Sequence, residues 1–443
     1  MKFSSLLMSL LLCALASAQT EVTPMNESRH GHSMCLMDNG IVLITGGSGD
    51  FTYRKSAEIG ESGVWNWSLV DDMTSRRFSH TSHGISGNRA LIIGGWDGES
   101  TNHVSTEIYL GDIGAWEAGP NMSIGRSNHR SIVLNDGTIL ISGGYDGSND
   151  LASCDLFDPM SGTISPTASM NYARSSHALT LLNDGRVLAS GGFNPNFDFQ
   201  MDECEIFDPG TGQWSVVASM HDPRDNHACV LMDDGRVMAT GGRYYNGSEN
   251  WFEGLDSYEI YDPALNTWSS PQPLGYGYSY HQIFNFENSN LPLIFGGTDH
   301  SGNGVDLTYN STLFWLSDQW SDVWNDWSGT YRYAAIQIDN SVALVTGGED
   351  DNRAWVFDTS NISVDEKDAP AFSVYPNPTN GILQVSGRDI QSLELLNSCG
   401  QVVLAQQLSS HSSPSLDLTG LAPGTYVLKI TSTDFMASQV VIR

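Results

Sequence analysis

Residues 174–192 read RSSHALTLLNDGRVLASGG. Two short apolar runs flank Asn183-Asp184-Gly185, which predicts a β-hairpin ending at the glycine pair Gly191-Gly192. The fold turns on whether Arg174, His177 and the glycines form one special site or one copy of a structural unit. Glycine pairs recur at 46–47, 94–95, 143–144, 191–192, 241–242, 296–297 and 347–348, separated by 48, 49, 48, 50, 55 and 51 residues. A spacing this regular marks a repeat architecture.

The repeat extends beyond glycine. His32, His80, His129, His177 and His227 each precede their pair by the same interval, with Arg29, Arg77, Arg126, Arg174 and Arg224 three residues earlier. The sixth copy has Tyr278 and His281, and the seventh Thr330 and Tyr333. After a variable loop come runs such as Glu205-Ile-Phe-Asp-Pro209, and a second turn leads to Trp67, Trp116, Trp214, Trp268 or Trp320, with Ile164 in the third copy. Four short strands per repeat predict an all-β ring of seven blades with few exposed edges. In the last repeat, Trp355–Phe357 supplies a third strand. Its outer strand is expected either from the N-terminal segment, where Met25 is in phase with Met73, Met122, Met170 and Met220, or from residues 362–364.

These residues resemble the kelch-repeat propellers, and the DGR(V/I)(L/M)xxGG phrasing resembles their galactose-oxidase-like branch. The resemblance spans residues 19–364 and implies a seven-bladed kelch-type β-propeller. On this reading the repeated Arg, His and Gly-Gly are scaffold. The arginines are expected to pair with Glu58, Glu107, Asp155, Glu205 and Glu259, and the glycines to permit close backbone approach.

The galactose-oxidase resemblance also implies a copper site of two tyrosines, two histidines and a cysteine crosslinked to one tyrosine. Tyr280-His281 and Cys35 match parts of that set, and His300 would be needed to extend it.

Variation concentrates in the loops that follow each glycine pair, so a binding site is expected on their face. Trp96, Tyr145, Phe193, Phe197, Tyr244, Tyr245, Trp251 and Phe252 lie there beside Asp, Asn and Gly. Aromatic planes next to hydrogen-bonding groups suit sugar faces. Asp50, Asp97, Asp146, Asp198, Asp299, Asp350 and Asp351 also fall in these loops. They are candidates for a calcium ion or for a catalytic carboxylate pair, although no run matches an EF-hand loop.

Over 443 residues, 51 acidic against 20 basic side chains give a formal charge of -31. A field of that sign disfavours nucleic acid and anionic membranes as partners. Residues 1–18, MKFSSLLMSLLLCALASA, read as a secretory signal cut before Gln19, too short to span a membrane. The remaining cysteines, Cys35, Cys154, Cys204, Cys229 and Cys399, are too widely spaced to define a disulfide framework.

Residues 365–371 read as a linker, after which the pattern changes. Residues 372–443 alternate apolar strands with Gly, Pro and Asn turns, as in a compact Ig-like β-sandwich. Tyr375-Pro-Asn-Pro378, Asn380-Gly381, Gly420-Leu-Ala-Pro-Gly-Thr-Tyr426 and the basic end after Val440-Val-Ile442 resemble the type IX secretion sorting domain of Bacteroidetes. That resemblance implies recognition by the type IX machinery and delivery to the outside or the outer surface.

The expectation is a monomeric exported binding protein for a glycan or a surface protein. The alternative is an extracellular carbohydrate-active enzyme, a lyase, hydrolase or mutarotase, or less favourably a copper radical oxidase.

Overall fold

The computed structural model describes residues 19–196, 199–246, 251–286, 291–301, 305–308, 311–316, 319–324, 333–348 and 351–360, and, towards the C-terminus, 373–375, 382–386, 390–396, 402–407, 415–421, 425–432 and 436–442. The chain divides into two compact units, Met1–Ile362 and Ser363–Arg443.

The opening stretch folds as its turn chemistry dictates. Ala178–Leu181 and Val187–Ser190 pair antiparallel, with Ala178 opposite Ser190 and Leu181 opposite Val187. Between them Gly185 takes a φ of +86°, and Asp184 Oδ1 accepts the Arg186 N–H at 3.0 Å. Cys204–Asp208 and Gln213–Val217 complete a four-stranded sheet.

Five further sheets repeat this plan, the one that starts at Ala228 with its outer strand split into Thr267–Trp268 and Gln272–Pro273. Their first strands are Ser33–Leu36, Thr81–Ile85, Arg130–Val133, Ala228–Leu231 and Gln282–Phe286.

The last sheet is of another kind. Ala334–Gln337, Val342–Thr346 and Ala354–Asp358 come from the seventh repeat, but the outer strand is Gln19–Val22 from the far end of the unit, with Gln19 opposite Phe357 and Val22 opposite Ala354. The expectation of a seven-bladed kelch-type propeller is thereby corrected to six blades, each from one unbroken repeat, and a composite sheet that closes the circle with the N-terminal strand, one of the two sources expected for it. The reason is hydrogen bonding: among the described residues the seventh repeat supplies three of the four strands, and the N-terminal strand satisfies the edge left open. Residues 362–364 lie outside the described residues.

The core sits between neighbouring sheets. Leu188, Cys204 and Ile206 of one blade meet Met220, Val237, Ala239 and Tyr261. Both faces of each sheet are covered, which is why the second strands read as unbroken apolar runs. The closing joint is built the same way, with Val42 and Ile44 against Leu344, Ala354 and Val356.

The repeated polar residues do two structural jobs. Each arginine ties its own blade. Arg29, Arg77, Arg126, Arg174 and Arg224 are buried and meet Glu58, Glu107, Asp155, Glu205 and Glu259 at 3.2, 3.0, 3.1, 3.0 and 2.9 Å. Each also donates to the carbonyl of the first glycine of its pair, as Arg174 does to Gly191 at 2.6 Å.

Each histidine joins its sheet to the one before. Nε2 lies near a hydroxyl in His32–Thr346, His80–Thr45, His129–Thr81, His177–Ser142, His227–Ser190 and His281–Thr240, at 2.8–3.0 Å. Tyr333 replaces histidine at the remaining joint and donates to the Phe295 carbonyl. The glycine rule is equally physical. Gly191 has a φ of +55°, and a Cβ there would sit 2.4 Å from the Arg224 carbonyl oxygen of the next repeat.

The C-terminal unit holds two sheets. Ser373–Tyr375, Ile382–Ser386 and Ser415–Asp417 form one, and Val402–Gln407, Ile390–Leu396, Thr425–Ser432 and Met436–Ile442, in that order, form the other. Leu383, Val385, Leu393, Leu395, Leu416, Leu418, Tyr426 and Leu428 make their shared core. The Ig-like description is replaced by this plainer one, a small two-sheet β-domain. Its segment has no tryptophan and a single cysteine, Cys399, and so lacks the tryptophan packed on a disulfide that marks antibody domains. Among the described residues no helix is long and apolar enough to cross a membrane.

Candidate functional site

The blades surround a cavity of about 800 Å3 that opens where the glycine-pair loops cluster. Its wall is set by the residue just before each scaffold histidine. Gly31, Ser79, Asn128, Ser176, Asn226 and Tyr280 all have φ between +49° and +60°. Their backbones form a chain around the axis. Ser79 donates to Gly31, Asn128 to Ser79, Ser176 to Asn128, Asn226 to Ser176 and Tyr280 to Asn226, each at 2.9–3.1 Å. Left-handed backbone is accessible to Asn but strained for Tyr, at a cost of about 1–3 kcal/mol. The strain is held by the surrounding sheets, and all six residues line the cavity.

Two guanidinium groups reach this space. Arg243 is bidentate to the buried Asp225, at 2.8 and 3.0 Å, and its charge lies 4.4 Å from the Phe252 ring centre and 5.6 Å from that of Tyr280. Burial works against the Arg243 charge, and Asp225 outweighs it. Arg130 opens the first strand of the third blade. Burial pushes its guanidinium below the ordinary value, against the pull of Asp225.

The structure separates the aromatic candidates. Trp96 and Tyr145 line the cavity, with Trp96 packed 5.1 Å from Tyr53 and Tyr145 exposed. Phe193, Tyr245 and Phe252 form a different cluster through Phe199, with ring centres 4.7–6.0 Å apart. Tyr244 sits on the same hairpin, Arg243–Asn246 with Trp251–Gly254, and donates to Glu253. None of these four lines the cavity. Phe197 lies outside the described residues, and Trp251 is described only as part of its strand.

The acids split too. Asp97 Oδ1 accepts three backbone N–H groups of its own loop, from Glu99, Ser100 and Thr101 at 2.8–3.0 Å. Burial opposes ionisation, but these donors hold the carboxyl down at about 2. Asp146 does the same for Ser148 and Asn149, and Asp351 pairs with Arg353. Asp50 pairs with Arg54 at 3.2 Å. These carboxylates fix loop shape. Asp198 and Asp350 lie outside the described residues, and Asp299 is described only by its strand. Among the described residues no group of three His, Cys, Asp or Glu side chains is placed to hold a metal.

The copper set does not assemble around the residues that suggested it. His281 is a buried joint bonded to Thr240 at 2.8 Å, and Cys35 is packed in the core between the first two blades, its thiol pushed up to about 12 by burial. Only Tyr280 of that group faces the cavity as a non-scaffold side chain. His300 is described only by its strand. Cys35, Cys154, Cys204 and Cys229 are free thiols.

Sequence reasoning missed the wall residues other than Tyr280, which it named only for the copper set. The signal was present: the position before each repeated histidine varies as Gly31, Ser79, Asn128, Ser176, Asn226 and Tyr280, while the histidine that follows it repeats.

The fold and the tail define the class of the protein: a β-propeller that carries a kelch motif, followed by a secretion sorting domain. The kelch motif family matches residues 174–221, and the secretion system C-terminal sorting domain family matches residues 373–443. The sorting domain makes this an extracellular or surface protein whose tail engages the type IX translocon.

No curated protein matches the chain. Among 680 matching solved chains, the structure of YjhT aligns with a TM-score of 0.52 and 15% identity, covering 68% of this chain and 99% of that one. At that identity the likeness shows fold alone, and a fold this widespread hosts many functions. The match is to the kelch motif as such and does not support the assignment to a galactose-oxidase-like branch.

Proposed function

We propose that the propeller binds an extracellular glycan in the central cavity. The observation that carries this reading is the pairing of two accessible aromatic planes, Trp96 and Tyr145, with the Asn and Ser side chains of the wall around about 800 Å3. A concave site of that size suits a small number of sugar units, whose faces stack on aromatics while their hydroxyls bond to amides and hydroxyls. A flat protein partner would not need such depth.

The cluster of Phe193, Tyr245 and Phe252 flanks this site as a second contact for a longer chain, with Tyr244 on the same hairpin. Residues 1–18 act as the export signal in this reading, and cutting before Gln19 leaves the closing strand whole, since Gln19 pairs with Phe357.

The test is a glycan array with the purified full chain, with and without chelator. Binding that is retained in chelator and falls at least tenfold in Trp96→Ala and Tyr145→Ala, with unchanged melting, supports the cavity. Binding that is lost only when Phe252 is replaced moves the site to the outer hairpin. Absence of any glycan binding removes the reading.

A further inference from the structure

The residue that follows each scaffold histidine or its tyrosine substitute also points to a role for the cavity. Around the ring this position holds Ser33, Thr81, Arg130, Ala178, Ala228, Gln282 and Ala334. Six are small or neutral, so the fold does not require a charge there.

Arg130 differs from the other cavity and scaffold arginines in what it touches. Arg29, Arg77, Arg126, Arg174, Arg224 and Arg243 each meet a carboxylate within 3.2 Å. Among the described residues Arg130 has no salt bridge, and its one hydrogen bond is a long one, 3.5 Å from Nη1 to the carbonyl of the adjacent His129. Asp225, the acid whose field reaches it, is already held in a bidentate pair by Arg243. Glu99, on the rim, lies near Arg76 at 3.5 Å.

A guanidinium has five donors and stays protonated, and those of half-buried Arg130 that face the cavity are open to an acceptor on a ligand. In a chain with formal charge -31 and many acids to spare, the missing partner stands out. Ser131 beside it is already committed, bonding to Thr81 Oγ1 at 2.6 Å and His83 Nε2 at 2.7 Å. Of these two neighbours, it is Arg130 that keeps open donors facing the cavity.

We propose that Arg130 is the anchor of an oxyanion-binding subsite in the cavity, taking a carboxylate or sulfate group of the ligand. The planar fork of the guanidinium matches either oxyanion in bidentate fashion. The subsite rests on the glycan reading for its natural ligand, but its anion chemistry can be tested without a sugar.

The full chain is melted at matched ionic strength in sodium chloride and in sodium sulfate, as wild type, Arg130→Gln and Arg130→Lys. General salting-out by sulfate acts on all three, so the readout is the difference between variants. The expected result is a sulfate-specific rise in Tm that is lost in Arg130→Gln and partly kept in Arg130→Lys. In chloride, Arg130→Gln should melt no lower than wild type, because it removes a charge with no partner; a structural role would lower it.

The second arm titrates galacturonate against galactose by calorimetry. Galacturonate should bind at least tenfold tighter, with the preference abolished in Arg130→Gln. Equal sulfate stabilisation in wild type and Arg130→Gln overturns the subsite. Sulfate discrimination with no sugar bound in either form upholds the subsite and refutes the glycan reading instead.

Discussion

At the scale of single residues, the same side-chain types serve two purposes, and environment separates them. Arg174 and Arg130 are both arginines beside a histidine repeat. One is locked between the Glu205 carboxylate and the Gly191 carbonyl, and the other lacks a carboxylate. Removing the buried partner leaves a charge uncompensated, so Arg174→Ala should cost about 3–5 kcal/mol, read as a shift in urea midpoint at unchanged slope. A loss under 1 kcal/mol would show that Glu205 is satisfied by the Asn171 and Tyr172 N–H groups alone, which approach it at 2.6 and 3.0 Å. Such scaffold losses need separating from binding losses, and melting in the absence of ligand does so.

At the scale of elements, the joints between sheets are sensitive to acid. Burial, aided by nearby arginines, pushes His80 and His281 down to about 3 and lowers His32, His129, His177 and His227 well below 6.5. Above pH 6.5 these rings are neutral whether the chain is folded or not. As pH falls below 6.5, the unfolded chain takes up protons that the folded chain refuses, and stability drops until the folded rings themselves titrate, for His80 and His281 near pH 3. Each such histidine contributes a slope of up to about 1.4 kcal/mol per pH unit in that window. The Tm should therefore be level above pH 7 and fall steeply from pH 6 to 4. His177→Gln, which keeps a donor for Ser142, should lessen that slope. A slope identical to wild type would mean the His177 joint opens before the chain unfolds.

At the scale of the whole molecule, ring closure and the sorting signal lie far apart in the sequence, in Gln19–Val22 and residues 373–443. Gln19–Val22 covers the open edge of Ala354–Asp358, so deleting residues 19–22 should expose a strand edge and lower the melting temperature in the full chain. An unchanged melting temperature would mean that the ring is held by its side-chain joints without that strand. Deleting residues 373–443 should leave the protein cell-associated instead of at the surface or in the medium, as fractionation and immunoblotting would show.

The repeat phase alone determined the all-β ring and the Arg–acid pairs, and the motifs Tyr375-Pro-Asn-Pro378 and Gly420-Leu-Ala-Pro-Gly-Thr-Tyr426 the sorting tail. These follow from spacings and turn residues that act locally, so each copy restates the rule. The composite nature of the closing sheet was decided by tertiary structure, because two strands far apart in sequence compete for one edge and only three-dimensional pairing selects between them. The wall of the cavity was hidden for a similar reason. Ser79, Asn128, Ser176, Asn226 and Tyr280 are separated by about fifty residues each, and only the circular arrangement of the blades brings them to one axis with Arg130, Trp96 and Tyr145.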